Sequence, residues 1–325
     1  MTRLQWAAVA AGLALLAAMP WFADKFAVQF ASKVLIFALF ASSLNLLVGQ
    51  AGLVSLGHAG FFGVAGYVLA LASPEYDAAP LWSTLAMAVG VAALLALAIG
   101  ALVVRTRGVY FLMATLAFGQ MLFHLFHDGD FAGGSDGLQI FARPAGTLFG
   151  VALFDLEQYR HFHWVVLAAC GLVLVFLARL RASPFGRVLD GIRVNEHRMR
   201  ALGYATARYK LVAFVLAGAL AGLAGYLSAC QFGVVNPESL GWHQSGAVLL
   251  MVILGGMGSL LGPALGAAAW WGMELLFQGY TKHWQLPMGA VIVAVALFLP
   301  EGLAGLWWRL RPARPAAPPE AGVQA

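Results

Sequence analysis

Apolar runs of membrane-spanning length follow one another almost without interruption along this chain, at about 4–23, 30–48, 53–71, 81–104, 109–126, 162–180, 211–229, 246–256, 260–277 and 288–308. A hydrocarbon layer about 30 Å thick takes about 20 residues of helix to cross. The pattern therefore predicts an all-α polytopic membrane protein with roughly ten transmembrane or re-entrant helices. We expect one transmembrane domain over 1–310. The short alternating segments of a membrane β-barrel are missing, so the spans are read as helices. At 62% hydrophobic and 10% charged, the chain lies far from the about 45–50% and about 25% of soluble domains. The first run is read as an uncleaved span, because no small-x-small site precedes Asp24. Cys170 and Cys230 both fall in apolar runs, which suggests neither a disulfide framework nor a thiolate metal site.

Charge then sets the orientation. With a cytoplasmic N-terminus and every run crossing, Arg3, Arg105, Arg107, Arg179, Arg181, the bases of 183–210, Arg309, Arg311 and Arg314 all fall inside. Lys25, Lys33, Arg143, Arg160 and Lys282 fall outside or near the outer face. This positive-inside bias predicts both termini in the cytoplasm. The net charge of +5 is thus a statement about a lipid bilayer as partner, not about nucleic acid. The stretch 128–161 becomes the longest periplasmic loop, with turn chemistry in AGGSDGL. The tail 311–325, rich in Pro and Ala, is expected to be disordered and cytoplasmic.

The one long charge-dense stretch is 183–210, with Arg187, Arg193, Arg198, Arg200, Arg208 and Lys210 against Asp190 and Glu196. Phe185, Val188, Leu189 and Ile192 repeat at i, i+3, i+4, i+7, the spacing of one helix face. Ser183 before Pro184 is a helix start, and Gly203 can end the element in a left-handed turn. An amphipathic cytoplasmic helix is predicted. An ordinary basic loop and a docking helix for a partner below the membrane both fit it.

Two runs make poor continuous helices. Glycine recurs from Gly49 to Gly66 and again from Gly255 to Gly266, the second with Pro263, and run 246–256 offers only about 16 Å of helix. Small residues let membrane helices pack closely. Alternatively, the segments are broken and line a path, since open backbone is tolerated at depth only beside protein or water. Polar groups gather there: Asn45, Gln50, Ser55, Gly57 and His58, with Thr115 and Gln120 on the 109–126 helix, are the candidate path residues. His58 reads as either a hydrogen-bonded packing residue or a lining residue. No HExxH, GxSxG or zinc-spaced Cys/His set is present, so no enzyme is predicted and no metal or cofactor is expected. There is no GxxxxGK[ST] phosphate loop for ATP. Glu274 is the only acid inside an apolar run, and Lys33 is near the end of one, so ion relays are scarce. Energy for uphill transport would then come from another subunit. An ion-coupled carrier acting alone is the alternative.

The segments SLNLLVGQAGLVSLGHAGFFGVAGY (43–67), TLAFG (115–119), GGSDGL (133–138), SPFGRVLDGIRVNE (183–196), ALGYATARYKLVAFVLAGALAGLAG (201–225), LLMVILGGMGSLLGPALGA (249–267) and LFLPEGLAGL (297–306) together resemble the M-type permease subunits of branched-chain amino acid ABC importers. The resemblance implies a non-enzymatic, multi-pass inner-membrane subunit. It would pair with a homologous second permease, two cytoplasmic ATP-binding subunits and a periplasmic substrate-binding protein. It implies an ATPase-coupling loop over Arg193–Gly203, where Glu196 and Gly203 match the pattern and Arg187, Arg193 and Asn195 join the coupling set. His197, Arg198, Met199 and Arg200 depart from the small or acidic residues usual there. The family resembled also includes importers of urea, amides and aromatic acids.

Overall fold

The computed structural model describes residues 3–74, 77–148, 151–299 and 301–309; the tail expected over 311–325 lies outside them. Twelve helices appear among the described residues. They are α1 (Arg3–Phe22), α2 (Lys25–Asn45), α3 (His58–Ala72), α4 (Leu81–Val103), α5 (Val109–His127), α6 (Tyr159–Ala182), α7 (Pro184–Ala201), α8 (Thr206–Phe232), α9 (Trp242–Gly255), α10 (Gly262–Gln278), α11 (Gln285–Phe298) and α12 (Gly302–Arg309). The protein is nearly all α. Five helical stretches are long and apolar enough to cross a membrane: Lys25–Ala51, Leu81–Val103, Val109–His127, Tyr159–Ala182 and Thr206–Phe232.

Several expected runs differ from the helices found. Run 288–308 is divided into α11, ending at Phe298, and α12, opening at Gly302 with φ 64°. Run 53–71 has no helix before His58. Instead α2 widens into a π-helical stretch, Leu46–Ala51, ends at Gly52 in the left-handed region, and the chain runs irregularly to Gly57. A second break, 256–261, separates α9 from α10. Both glycine-rich segments are thus discontinuous, the first between α2 and α3 and the second between α9 and α10.

The core is organised by α8, which lies against α2, α3 and α4. Ala88, Ala92 and Ala96 form a buried stripe on α4, and a Cβ added to Gly218 or Gly222 of α8 would press on Ala96 or Ala92. Missing side chains on one helix and methyl groups on the other let the two backbones approach closely. Large rings fill the remaining space: Phe61 meets Phe214 edge-on at 5.5 Å, and Phe40 stacks on Phe62 at 4.4 Å. Close approach also fixes the first break. Gly57 sits directly on the Thr115 carbonyl of α5, and a Cβ there would collide with it. Gly57→Val is expected to destabilise the protein by about 1–3 kcal/mol through overpacking, seen as a lower thermal midpoint in detergent. An unchanged midpoint would mean that the break and α5 can separate freely.

The loop after α5 is not purely irregular. It carries β1 (Leu138–Gln139), β2 (Gly146–Leu148) and β3 (Val151–Phe154). β2 and β3 form a small hairpin, while β1 pairs antiparallel with β4 (Val234–Val235), just after α8, in the register Leu138↔Val235 and Gln139↔Val234.

Candidate functional site

The amphipathic pattern of 183–201 gives α7 its place. Ser183 Oγ accepts the Gly186 N–H at 3.3 Å, Pro184 opens the first turn, and Val188, Leu189 and Ile192 are buried. The helix is not straight. Asn195 is extended (φ −156°, ψ 97°), and its Oδ1 accepts the Arg198 N–H at 3.0 Å, capping a second short helical piece. Gly203, at φ 87°, closes that piece as its position suggested. The outer corner carries Val194, 86% exposed, with Arg187, Asn195, His197 and Arg198 also exposed.

Glu196 faces inward from this corner. Its carboxylate accepts from Lys210 Nζ at 2.7 Å, Arg200 Nη2 at 2.6 Å and Thr206 Oγ1 at 3.1 Å, with Arg107 Nε 3.5 Å away. Burial alone would raise its pKa, but the hydrogen bonds and charge of Lys210, with those of Arg200 and Thr206, outweigh burial and hold it at about 2. Sequence reasoning named Glu196 but missed Lys210, Thr206 and Arg107 as its partners. Only Arg200, at i+4, was within reach of a helical-spacing argument.

Arg193 leaves the same helix in the other direction and donates to the Gly49 carbonyl in the π-helical stretch. Arg181, at the end of α6, donates to the Gly258 carbonyl in the second break at 2.5 Å. Between them, Asn45 joins the two breaks. Its Nδ2 donates to Ser259 O at 2.8 Å, and its Oδ1 accepts the Gly258 N–H at 3.0 Å. Gly49 and Gly258 approach so closely that a Cβ on Gly49 would lie 2.7 Å from the Gly258 nitrogen. The last carbonyls of an interrupted helix lack intrahelical donors and carry partial negative charge. Arg193 satisfies that need at Gly49, while Arg181 bonds a carbonyl of the segment between α9 and α10. α7 is thereby tied to the interrupted end of α2, and the end of α6 to the second break, with Asn45 joining the two breaks.

The other candidate path residues divide into two groups. Gln50, Ser55 and His58 are buried in and beside the first break, and each has a polar atom without a partner among the described residues: Gln50 Oε1, Ser55 Oγ and His58 Nδ1. His58 Nε2 lies 2.8 Å from Ser43 Oγ, and its ring stacks on Phe40 at 5.6 Å. Since Ser43 donates to the Phe40 carbonyl, the imidazole donates Nε2–H to Ser43, leaving Nδ1 as an unshared acceptor. Thr115 is a strut: its Oγ1 accepts the Leu56 N–H at 3.3 Å. Ser245 of α9, which sequence reasoning missed, accepts the Ala59 N–H at 2.9 Å. Gln120 stands apart. It lines a cavity of about 940 Å³ with Phe37, Phe62, Ser228, Asn236 and Gln244. That cavity adjoins the far end of α8, where the nearest lining residue, Gly225, is separated from Lys210 of the Glu196 cluster by about 22 Å of helix.

A sequence model of the family described as "Branched-chain amino acid transport system / permease component" matches residues 26–299. The chain belongs to this family. The match takes in α2 to α11, and with them both breaks, α7 and the cavity. Among members of this permease family, the chain is similar to the high-affinity branched-chain amino acid transport system permease protein LivM of Salmonella typhimurium. The two are 30% identical over 310 residues, which is 90% of this chain and 73% of that one. The LivM protein of Escherichia coli K12 is 31% identical over 312 residues, with the same coverage. The permease LivH of Escherichia coli K12 is 28% identical over 144 residues, 44% of this chain and 46% of LivH. No solved structure matches the chain.

Proposed function

We propose that this protein is a permease subunit of an ATP-driven importer of branched-chain or other apolar amino acids in a bacterial inner membrane. It works there with a homologous second permease, two cytoplasmic ATP-binding subunits and a periplasmic binding protein. The observation that carries the reading is the Arg193 link: the basic helix α7 is bonded to the interrupted end of α2, which Asn45 in turn joins to the second break. Membership of the permease family and likeness to both LivM and LivH support it.

In this reading the five long helices, with α1 and the shorter α3, α9, α10 and α11, make ten membrane-embedded segments, and both termini are cytoplasmic. The exposed corner at Val194, Asn195 and His197 meets the ATPase, while Glu196 keeps the corner rigid from within. Closure of the nucleotidases moves α7 as a body, and Arg193 passes that movement to the junction of the breaks. The substrate enters from the 940 Å³ cavity and crosses along the face that includes Gln50, Ser55 and His58. Unpaired polar atoms there are suited to transient hydration or contact with a passing polar group.

Reconstitution tests this directly. The tagged chain is expected to copurify with ATP-binding subunits from its native membrane. The reconstituted complex is expected to take up leucine only with ATP and the binding protein. Gradient-driven uptake by the purified chain alone would overturn the reading in favour of an ion-coupled carrier.

A further inference from the structure

A smaller cleft, about 350 Å³, lies between the first half of α2, the end of α8 and the second half of α10. Phe26, Phe30, Phe232 and Leu275 contribute apolar wall. Within it stand Lys33 and Glu274, the two charges that intrude into otherwise apolar helices. They do not pair with each other: among the described residues no carboxylate lies within ion-pair distance of Lys33. Instead the Lys33 ammonium sits over the Trp271 ring, 3.2 Å from its centroid. Its N–H groups have no acceptor among the described residues. The Trp271 Nε1–H is buried and has none either.

The acceptors show the opposite lack. Gln231 Nε2 donates to the Gln29 carbonyl at 2.8 Å, which fixes the orientation of the amide and leaves its buried Oε1 without a donor. Glu274 Oε1 takes one hydrogen bond, from Gln278 at 3.1 Å, and Oε2 none. The cleft therefore holds unfilled donors on the Lys33–Trp271 side and unfilled acceptors at Gln231 and Glu274, enclosed by aromatic and aliphatic surface. Buried polar atoms ordinarily find partners, and isolated charges in a membrane helix mark functional positions.

We propose that this cleft binds a zwitterion, an ammonium joined by a short chain to an anionic group. Glu274 and Gln231 Oε1 receive the ammonium, while Lys33 and the Trp271 N–H receive the anion. A free α-amino acid and the ethanolamine-phosphate head of a lipid both have this chemistry. The inference does not depend on ATP coupling, and its test reads binding rather than transport.

The test uses the full chain purified in detergent and stripped of lipid, as wild type, Lys33→Met, Glu274→Gln and Trp271→Phe. One arm titrates L-leucine, isoamylamine (which lacks the carboxylate) and 4-methylvalerate (which lacks the ammonium). The other measures, by native mass spectrometry, retention of phosphatidylethanolamine against phosphatidylglycerol from mixed nanodiscs. The wild type is expected to bind the zwitterion in one arm at least tenfold more tightly than the singly charged or anionic competitor. Lys33→Met and Glu274→Gln should each remove at least tenfold of that affinity. Leucine dependence identifies a solute site, and phosphatidylethanolamine dependence a lipid site. Trp271→Phe keeps an aromatic ring near Lys33 and removes the N–H with the rest of the pyrrole ring, so it serves if Lys33→Met does not fold. Absence of zwitterion binding in both arms, or affinity unchanged in both Glu274→Gln and Trp271→Phe, would overturn the proposal.

Discussion

Replacing Arg193 with methionine is expected to cut ATP-driven uptake at least tenfold while the protein stays folded in the membrane and bound to its ATPase subunits. The methionine keeps most of the side-chain volume but cannot donate to Gly49. Among the described residues, that bond is the side-chain link from α7 to the π-helical end of α2. A hydrogen bond from a charged donor contributes about 1.5–3 kcal/mol, and about 1.4 kcal/mol of activation free energy corresponds to tenfold in rate. Arg193→Lys, with a point charge in place of a planar fork, should retain part of the activity. Arg179→Met is the control, because Arg179 is exposed and has no polar partner among the described residues. Uptake in proteoliposomes measures all three. Wild-type rates for Arg193→Met would mean that α7 moves the breaks by some other contact.

Glu196→Arg is expected to have the larger effect on stability and to abolish uptake as well. It sets a fourth cation among Arg107, Arg200 and Lys210, and Lys210 is only 5% exposed. Removing one partner of a buried pair costs about 3–5 kcal/mol. We take the low end, about 3 kcal/mol, because Arg107 and Arg200 are 42% and 47% exposed and solvent screens them. The double variant Glu196→Gln/Lys210→Met should recover much of the thermal midpoint, since it leaves no unpaired buried charge. Acid should act like the mutation. The folded-state pKa of Glu196 lies at about 2, below the ordinary 4.5, so its stabilising effect is complete above about pH 4.5 and is lost as pH falls toward 2. The midpoint difference between wild type and Glu196→Gln should hold from pH 8 to 5 and narrow below. A difference that grew on acidification would contradict this electrostatic account.

The sequence revealed the helical bundle because each apolar run carries its own signal: length and composition suffice, with no knowledge of neighbours. The start of α7 was equally legible, since Ser183, Pro184 and the 185–192 stripe act locally. Its corner at Asn195 was not, because the short capped piece that follows lies inside one continuous polar stretch. Glycine content pointed to both breaks, yet nothing in it said that they meet. That meeting depends on Asn45 and Ser259, 214 residues apart, and on guanidinium groups from α6 and α7, far from both in the chain. The partners of Glu196, read from the sequence as a docking residue, were hidden for the same reason. Three of its four partners come from α8 and from the turn before α5, so its carboxylate is occupied within the chain. The neighbours Val194, Asn195 and His197 are exposed on the same corner. Thr115 and Gly57, grouped by sequence with the path, prove to brace one helix against another.

The short ribbon between β1 and β4 makes the loop after α5 part of the bundle rather than an appendage. Ile140 also bonds Gly233, and Arg143 reaches the Gln231 carbonyl at 3.1 Å, so the loop is stitched to the α8–α9 connection at several places. Val234, Val235 and Asn236 on that connection also form the rim of the large cavity. Anything that leans on the loop therefore tugs the rim with it. A fluorophore on exposed Ser135 would act as a remote gauge of the mouth's width, reporting each opening without obstructing it.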